Sequence, residues 1–430
     1  MTMKEDIYKR SGRSLNRKLQ GSRRGVSLLI VQLVFLVLLF GPQPTQAADP
    51  LRIGFLIPLS GVYTSLGEDV RDGFSLYMDQ AGNKIAGRDI KIIVEDKGSN
   101  DVTKGLEKAR KLVEKEQVQI LAGVISSGVA YALSSFVEQK KLPFVIANAG
   151  ADDLTQRKAN PYIVRPSFAN SAGSHPLGVW AYENGFRKAV VWGGDYAAGY
   201  EHVGGFCRTF SELGGKIVQE VYPPLGAMDF GPYLAKINQD ADVTMVWSAG
   251  PAALRFVTQY AEYGLNKKIP LIGKGDIVDE KILPEEGAAA EGIISILHWA
   301  YLLDNPEAKK FNTDFSKKFG RRATVYAAQG YATAMVIGSA LKVTQGQTKG
   351  AEFVKVMRGI QMSTPGGAMT FDKFGGNVQP FYLRKVEKVK GSYENVCFKT
   401  FPAVSQFWKW SPEEYMKMPT YVDMKGKWTK

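Results

Sequence analysis

The sequence predicts an α/β fold built as two similar lobes, each a doubly wound parallel sheet covered by helices on both faces. Three observations carry this. Short apolar runs alternate with segments whose apolar residues fall at helical spacing, the strand runs are apolar along their length, and the rhythm restarts after Pro161. No sequence repeat of fixed period accompanies the restart, so the likeness of the halves is architectural.

In chain order, LRIGFLI (residues 51–57) is a buried strand stopped by Pro58, which has no N–H for a sheet ladder. Residues 67–82 follow as a helix with Phe74, Tyr77 and Met78 at helical spacing, and 90–94 as a strand. Asp101 caps a helix over 103–116, whose Leu106, Ala109, Leu112 and Val113 share one face. A strand at 118–124, a helix at 129–140 and a strand at 143–147 complete the first series. The second series runs helix 174–184, strand 188–192, helix 200–213, strand 216–221, helix 233–239, strand 243–247, helix 252–263 and strand 270–273.

Ahead of these elements lies a leader. Residues 1–24 hold eight Lys/Arg against Glu5 and Asp6, an apolar run spans 26–40, and Thr45-Gln46-Ala47 supplies small residues for a signal peptidase. The run falls short of the ~20 apolar residues a spanning helix needs and is followed at once by Gly-Pro. The sequence therefore predicts export with a signal peptide cleaved after Ala47, a retained anchor being the alternative. Arg23-Arg24 resembles part of a twin-arginine signal, but the residues after the pair match poorly, so the export route stays open. Without residues 1–47 the chain keeps 47 basic against 40 acidic residues, a net charge of +7. No basic cluster interleaved with aromatics remains, which excludes a nucleic-acid partner. Cys207 and Cys397 could pair in an oxidising compartment or stay as buried thiols.

No catalytic constellation stands out, and none is expected. The only histidines, His175, His202 and His298, have no carboxylate or cysteine at metal-ligand spacing. Gly61, Gly67 and Gly73 do not make a dinucleotide fingerprint, no phosphate-binding GxxxxGK[ST] loop is present, and Ser126-Ser127-Gly128 lacks the glycine frame of a nucleophile elbow. Neither metal nor cofactor is predicted, and an enzyme on a flavodoxin-like fold is a distant alternative. Binding chemistry sits instead at the predicted strand ends, where helix N-termini present free N–H groups. Six such junctions are rich in Gly, Ser or Asn: 58–61, 125–128, 148–150, 193–196, 248–250 and 273–276. One alone would read as a turn; six at equivalent places define a cleft.

The words IGFLIPLSGVYTSLGEDVRDGF from Ile53, IAGRDIKIIVED from Ile85, SSGVA from Ser126, NPYIVRPSFAN from Asn160, DYAAGYE from Asp195, AEGI from Ala290, LDNP from Leu303 and YAAQGYATA from Tyr326 span most of the chain after the leader. In this order they resemble the Leu/Ile/Val-binding family of periplasmic binding proteins, the ligand-capturing components of ABC importers. The resemblance implies a type I fold with two lobes joined by a three-strand hinge, closing on a small molecule. It places the crossovers near 165–168, 297–300 and 365–371. The N-terminal lobe is then 48–166 with 299–364, and the C-terminal lobe 167–298 with 365–430. It further implies a periplasmic monomer that delivers its ligand to ABC permease subunits. The tail from Phe401, carrying Phe407, Trp408, Trp410, Tyr415, Tyr421 and Trp428, runs past the family's extent and is expected to pack on a lobe.

Within that resemblance Ser127 falls on the serine that holds a ligand carboxylate, helped by nearby N–H groups such as those of Gly128 and Gly150. Other positions depart from the amino-acid pattern. Gly150 stands for a threonine, Ala198 for a common tyrosine, and Gly275 for the carboxylate that pairs with an ammonium, with Asp276 adjacent. A buried ammonium without its anion costs several kcal/mol, which argues for a bulkier ligand without an obligatory amine. ANAGADDLT from Ala147, SAGPAALRFVTQYAEYGL from Ser248 and HWAYLLDNP from His298 resemble relatives that take up aromatic acids. The expected ligand is an aromatic monocarboxylate, with a branched-chain amino acid or amide as the alternative. The expected site comprises Ser126, Ser127, Gly128, Asn148, Ala149, Gly150, Tyr196, Ala198, Trp247, Ala249, Lys274 and Asp276. Asn148 would orient the ligand, Tyr196 or Trp247 cover its apolar face, and Lys274 act as counter-charge or else lie exposed at the surface.

Overall fold

The computed structural model describes residues 49–429; the leader and the expected cleavage after Ala47 lie outside the described residues. Strands β1 (Leu51–Ile57), β2 (Lys84–Ile85), β3 (Arg88–Asp96), β4 (Ile120–Gly123), β5 (Phe144–Ile146) and β6 (Ile163–Val164) form the first sheet, in spatial order β2-β3-β1-β4-β5-β6. All its pairs are parallel except β2 with β3. Helices α1 (Thr64–Gln80), α2 (Val102–Arg110, extended by a π turn at Lys111–Lys115) and α3 (Ser127–Gln139) connect these strands. Asp101 caps α2 as expected, accepting from the Lys104 amide at 2.9 Å. Helix α3 starts two residues before the expected Val129, because Ser126 serves as its cap and accepts from the Val129 amide.

The second lobe repeats the pattern with α4 (Ser174–Glu183), β7 (Lys188–Trp192), α5 (Ala197–Glu212), β8 (Lys216–Val221), α6 (Gly231–Leu234), β9 (Val243–Val246), α7 (Pro251–Glu262), β10 (Leu271–Lys274), α8 (Leu283–Glu286) and β11 (Ile294–Leu297). The helix expected over 233–239 is reduced to the single turn α6. Asn238 draws the Asp240 amide onto its side chain, an Asx-type bond that competes with helix.

The chain then returns to the first lobe with α9 (Pro306–Phe319), α10 (Val325–Val343) and α11 (Gly350–Arg358). Helices α1 and α10 meet backbone to backbone. A Cβ on Gly73 would lie 1.9 Å from the Ala327 carbonyl oxygen, and one on Gly330 2.0 Å from that of Val70, so both positions require glycine. Finally β12 (Met362–Thr364), β13 (Gly367–Phe371), β14 (Asn377–Val389) and β15 (Ser392–Val404) extend the second sheet to nine strands, with order β12-β13-β14-β11-β10-β9-β7-β8 and β15 beside β14. The long β14–β15 hairpin is antiparallel and slips register between Gln379 and Phe381, across Pro380. The architecture is the two-lobed type I fold.

After β15 the tail, including α12 (Pro412–Lys417), packs against both lobes. Phe407, Tyr415 and Tyr421 form a small core of their own with Trp410 and Trp428 at its edge. The Arg157 guanidinium donates to the carbonyls of Tyr415, Met416 and Met418 at 3.0, 3.2 and 2.8 Å. On the second lobe, Tyr421 shares a 2.6 Å hydrogen bond with His175, and the Trp428 amide donates to Glu220. Cys207 is buried in α5 and Cys397 lies on β15; both are free, so the pairing alternative is set aside. Among the described residues no helix is long and apolar enough to cross a membrane.

One buried acid gives the fold a pH dependence. Glu286 is 3% exposed and neither of its carboxylate oxygens has a hydrogen-bond partner. Burial, then the charge of Asp279, pushes its carboxyl up to about 9. The folded chain thus holds a proton that the unfolded chain releases near pH ~4.3. This contribution is fully present below that pH and is lost as pH rises toward 9. Thermal denaturation across this range should show Tm falling with pH, and Glu286→Gln should flatten the fall. A variant with the same slope as the parent would refute the assignment.

Candidate functional site

Between the lobes lies a cavity of ≈ 410 Å³, counting all the open space between its walls. Ile125, Ser126 and Ser127 reach it from the end of β4, Asn148 and Gly150 from β5, Tyr196 and Ala198 from β7, Trp247 and Ala249 from β9, and Asp276 from β10. Five strand ends thus converge, as the strand-junction argument requires. Tyr63, Leu66, Phe168, Asn170, His202 and Tyr326 complete the wall.

The polar end is built around the start of α3. Ser126 is already engaged as a helix cap and as donor to Asn100. Ser127, the first residue of the helix, keeps its hydroxyl at the cavity, with the Asn170 amide donating to it at 3.4 Å. The Asn148 amide donates to Gln329 at 2.6 Å, and Gln329 in turn reaches His298 Nε2 at 3.0 Å. Gly150 has no room for the threonine of amino-acid binders. A Cβ there would sit 2.0 Å from Asn170 Oδ1 and 2.7 Å from the Phe168 ring. Asn170 fills that space and also donates to Glu201 at 2.6 Å.

The opposite wall is flat and aromatic. Trp247 stacks on His202 at 4.6 Å and 20°, and Phe168 stacks beyond His202 and against His298 at 6.1 and 5.4 Å. His202 is held well below the usual histidine range by burial and then by the Lys274 charge, so it serves as a neutral ring. His298 is pushed down to about 3 for the same reasons. At one side of the cavity the Tyr63 and Tyr196 hydroxyls hydrogen-bond at 2.7 Å.

Three expectations require correction. The carboxylate is not missing: Gly275 cannot carry a side chain, since a Cβ would meet Arg384 Nη2 at 2.3 Å, while Asp276 lines the cavity and accepts from Tyr326 at 2.8 Å. Lys274 is neither exposed nor on the wall. Strand alternation puts it on the face of Ile272, 1% exposed, with Nζ 5.1 Å from the Phe381 ring and no hydrogen-bond partner. Burial pushes it down to about 8, opposed by the Asp276 charge. Gly128 and Ala149 are also absent from the lining; Ala149 packs in the core beside Val129.

Several wall residues went unassigned in the sequence reading although it held their signal. Phe168 and Asn170 fall in NPYIVRPSFAN and Tyr326 in YAAQGYATA. His202 lies one helical turn beyond Ala198 on α5, hence on the same face. Further contacts hold the lobes together. Glu201 accepts from Tyr131 and from the Asp152 amide at 3.3 and 3.2 Å, and Arg322 forms a bidentate pair with Glu394 at 3.0 and 2.7 Å.

Comparison with known proteins agrees with this geometry. A periplasmic binding protein family model matches residues 50–392. A Leu/Ile/Val-binding protein homolog 6 of Brucella melitensis is 30% identical over 361 residues, covering 82% of this chain and 92% of the relative. The solute-binding protein of an ABC transporter from Rhodopseudomonas palustris HaA2, solved with p-hydroxybenzoic acid, is 32% identical with TM-score 0.80, covering 84% of this chain and 99% of that one. One from R. palustris solved with benzoate is 32% identical with TM-score 0.78, covering 83% and 98%. The chain belongs to the periplasmic binding protein family, as a solute-binding protein of an ABC transporter.

Proposed function

We propose that the cleft captures a benzoate-type monocarboxylate and hands it to an ABC permease. The carrying observation is the pairing of one polar end, Ser127 with Asn170, with a flat wall of stacked Trp247, His202 and Phe168 in one cavity. The acid accepts from Ser127 and from N–H groups at the start of α3, and the ring lies along the stack, worth roughly 0.5–1.5 kcal/mol beyond area burial. A ring hydroxyl, as in the p-hydroxybenzoate bound by the HaA2 relative, would donate toward Asp276. Calorimetry with benzoate, p-hydroxybenzoate and leucine tests this. Ser127→Ala should weaken benzoate binding by about 1.5–3 kcal/mol, the loss of a hydrogen bond to a charged group. An unchanged affinity would remove Ser127 from the site.

Asp276 favours a second reading, in which the carboxylate binds the ammonium of an amino acid. Leucine binding that Asp276→Asn abolishes, with no response to benzoates, would establish that reading instead. In either case we infer an exported monomer, cleaved after Ala47, with lobes 48–166 plus 299–364 and 167–298 plus 365–430 closing about crossovers near 165–168, 297–300 and 365–371.

A further inference from the structure

A second cavity, of ≈ 650 Å³, adjoins the cleft and shares Tyr63, Tyr196, Trp247 and Ala249 with it. The partition is thin: the hydroxyl pair of Tyr63 and Tyr196, one 2.7 Å hydrogen bond between side chains from opposite lobes, and the Trp247 ring packed 5.6 Å from Tyr196. Beyond it the recess is walled by Trp192, Phe230, Pro251 and Ala252, with Leu225 and Met228 at its rim, and none of its lining residues is charged. Leu225 and Met228 stand 38% and 42% exposed, apolar surface that an apolar guest would cover.

We propose that this recess is a second compartment of the ligand site, taking the apolar para substituent of a benzoate-type acid whose carboxylate lies at Ser127. The inference rests on reading the cleft as a benzoate site. Asp276 shares the cavity wall with Tyr63 and Tyr196 and its charge acts on both, so an acid at the polar end whose para position points toward Asp276 also points it toward the tyrosine pair. A hydrogen or a hydroxyl stops there. A chain of several carbons, or a second ring, parts the two hydroxyls and enters a space with no charge to desolvate. The hydroxyl bond it breaks joins two neutral groups, whose net contribution is small beside that of burying a chain of several carbons. The chain therefore selects among aromatic acids by tail as well as by head.

Calorimetry on the leaderless chain with benzoate and its para-methyl, para-propyl and para-pentyl derivatives reads this directly. Once the partition is passed, each added methylene should tighten binding about fourfold, the usual yield of burying one such group. Ala252→Trp, which fills the recess, should remove the rise while leaving benzoate affinity unchanged. Met228→Glu, a rim substitution safe for folding, should weaken para-pentylbenzoate alone. Benzoate binding with a flat or falling series, or a rise that neither variant reduces, would overturn the compartment and leave the benzoate reading intact. No binding of benzoate itself would overturn both.

Discussion

Arg384→Met should cost about 3–5 kcal/mol of folding stability and loosen the cleft with it. Arg384 is fully buried on β14 and is the hub of the second sheet. Its guanidinium donates to the carbonyls of Gly275 and Trp299 at 3.0 and 3.1 Å, to Ser295 Oγ at 3.3 Å, and pairs with Glu280 at 3.3 Å. Methionine restores most of the volume but leaves Glu280 buried with only the Asn395 side-chain amide donating to it, an uncompensated charge in place of a paired one. The Gly275 carbonyl loses its donor one residue before Asp276, so ligand affinity should fall together with stability. Urea denaturation and calorimetry check the two effects. Adding Glu280→Gln should recover part of the stability, because the two sites share one interaction. Additive losses would show that the pair is not what holds the hub.

Gly150→Thr should weaken ligand capture by about tenfold or more. The substitution restores the side chain that amino-acid binders are expected to carry, yet here its Cβ would stand 2.0 Å from Asn170 Oδ1 and against the Phe168 ring. Overpacking of this kind costs about 1–3 kcal/mol, and the displaced Asn170 also feeds Ser127 and Glu201. Binding of p-hydroxybenzoate should fall about tenfold or more, equivalent to at least ~1.4 kcal/mol. Gly150→Thr with Asn170→Ala should regain stability, since the clash partner is gone, without regaining affinity. Wild-type binding in the single variant would mean that Gly150 lies farther from the ligand than its place in the wall implies.

Both predictions turn on residues at the limit of what the sequence discloses. Strands β1, β7 and β8 could be read at their true bounds, because β1 and β7 are apolar runs stopped by Pro58 and Gly193, and β8 opens directly after Gly214-Gly215. The strand-end junctions were legible for the same reason, and with them Ser126, Ser127, Asn148, Gly150, Tyr196 and Trp247. Asn170 lay inside the word NPYIVRPSFAN, but the word does not say which space the side chain fills until Gly150 is seen beside it. Asp276 was legible at its junction, whereas Lys274, two residues before it, was expected on the wall and alternation along the strand turns it into the core instead. The β14–β15 hairpin drew no expectation. Lys385, Glu387 and Lys388 interrupt its apolar alternation, and Pro380 sits where a central strand is least expected.

The return of the chain to its first lobe governs how the molecule can be assembled. The last strand of the first sheet ends at Val164, yet α10, which covers that sheet against α1, begins only at Val325. Until then a growing chain carries a sheet with one apolar face only partly covered, by α1, and the closing contact joins residue 73 to residue 327. Gln406, which holds Thr155 and Arg165, comes later still. Such distant closures slow folding and expose sticky intermediates. Neither lobe is a continuous stretch that one cut could release, so synthesis must run nearly to its end before either is finished.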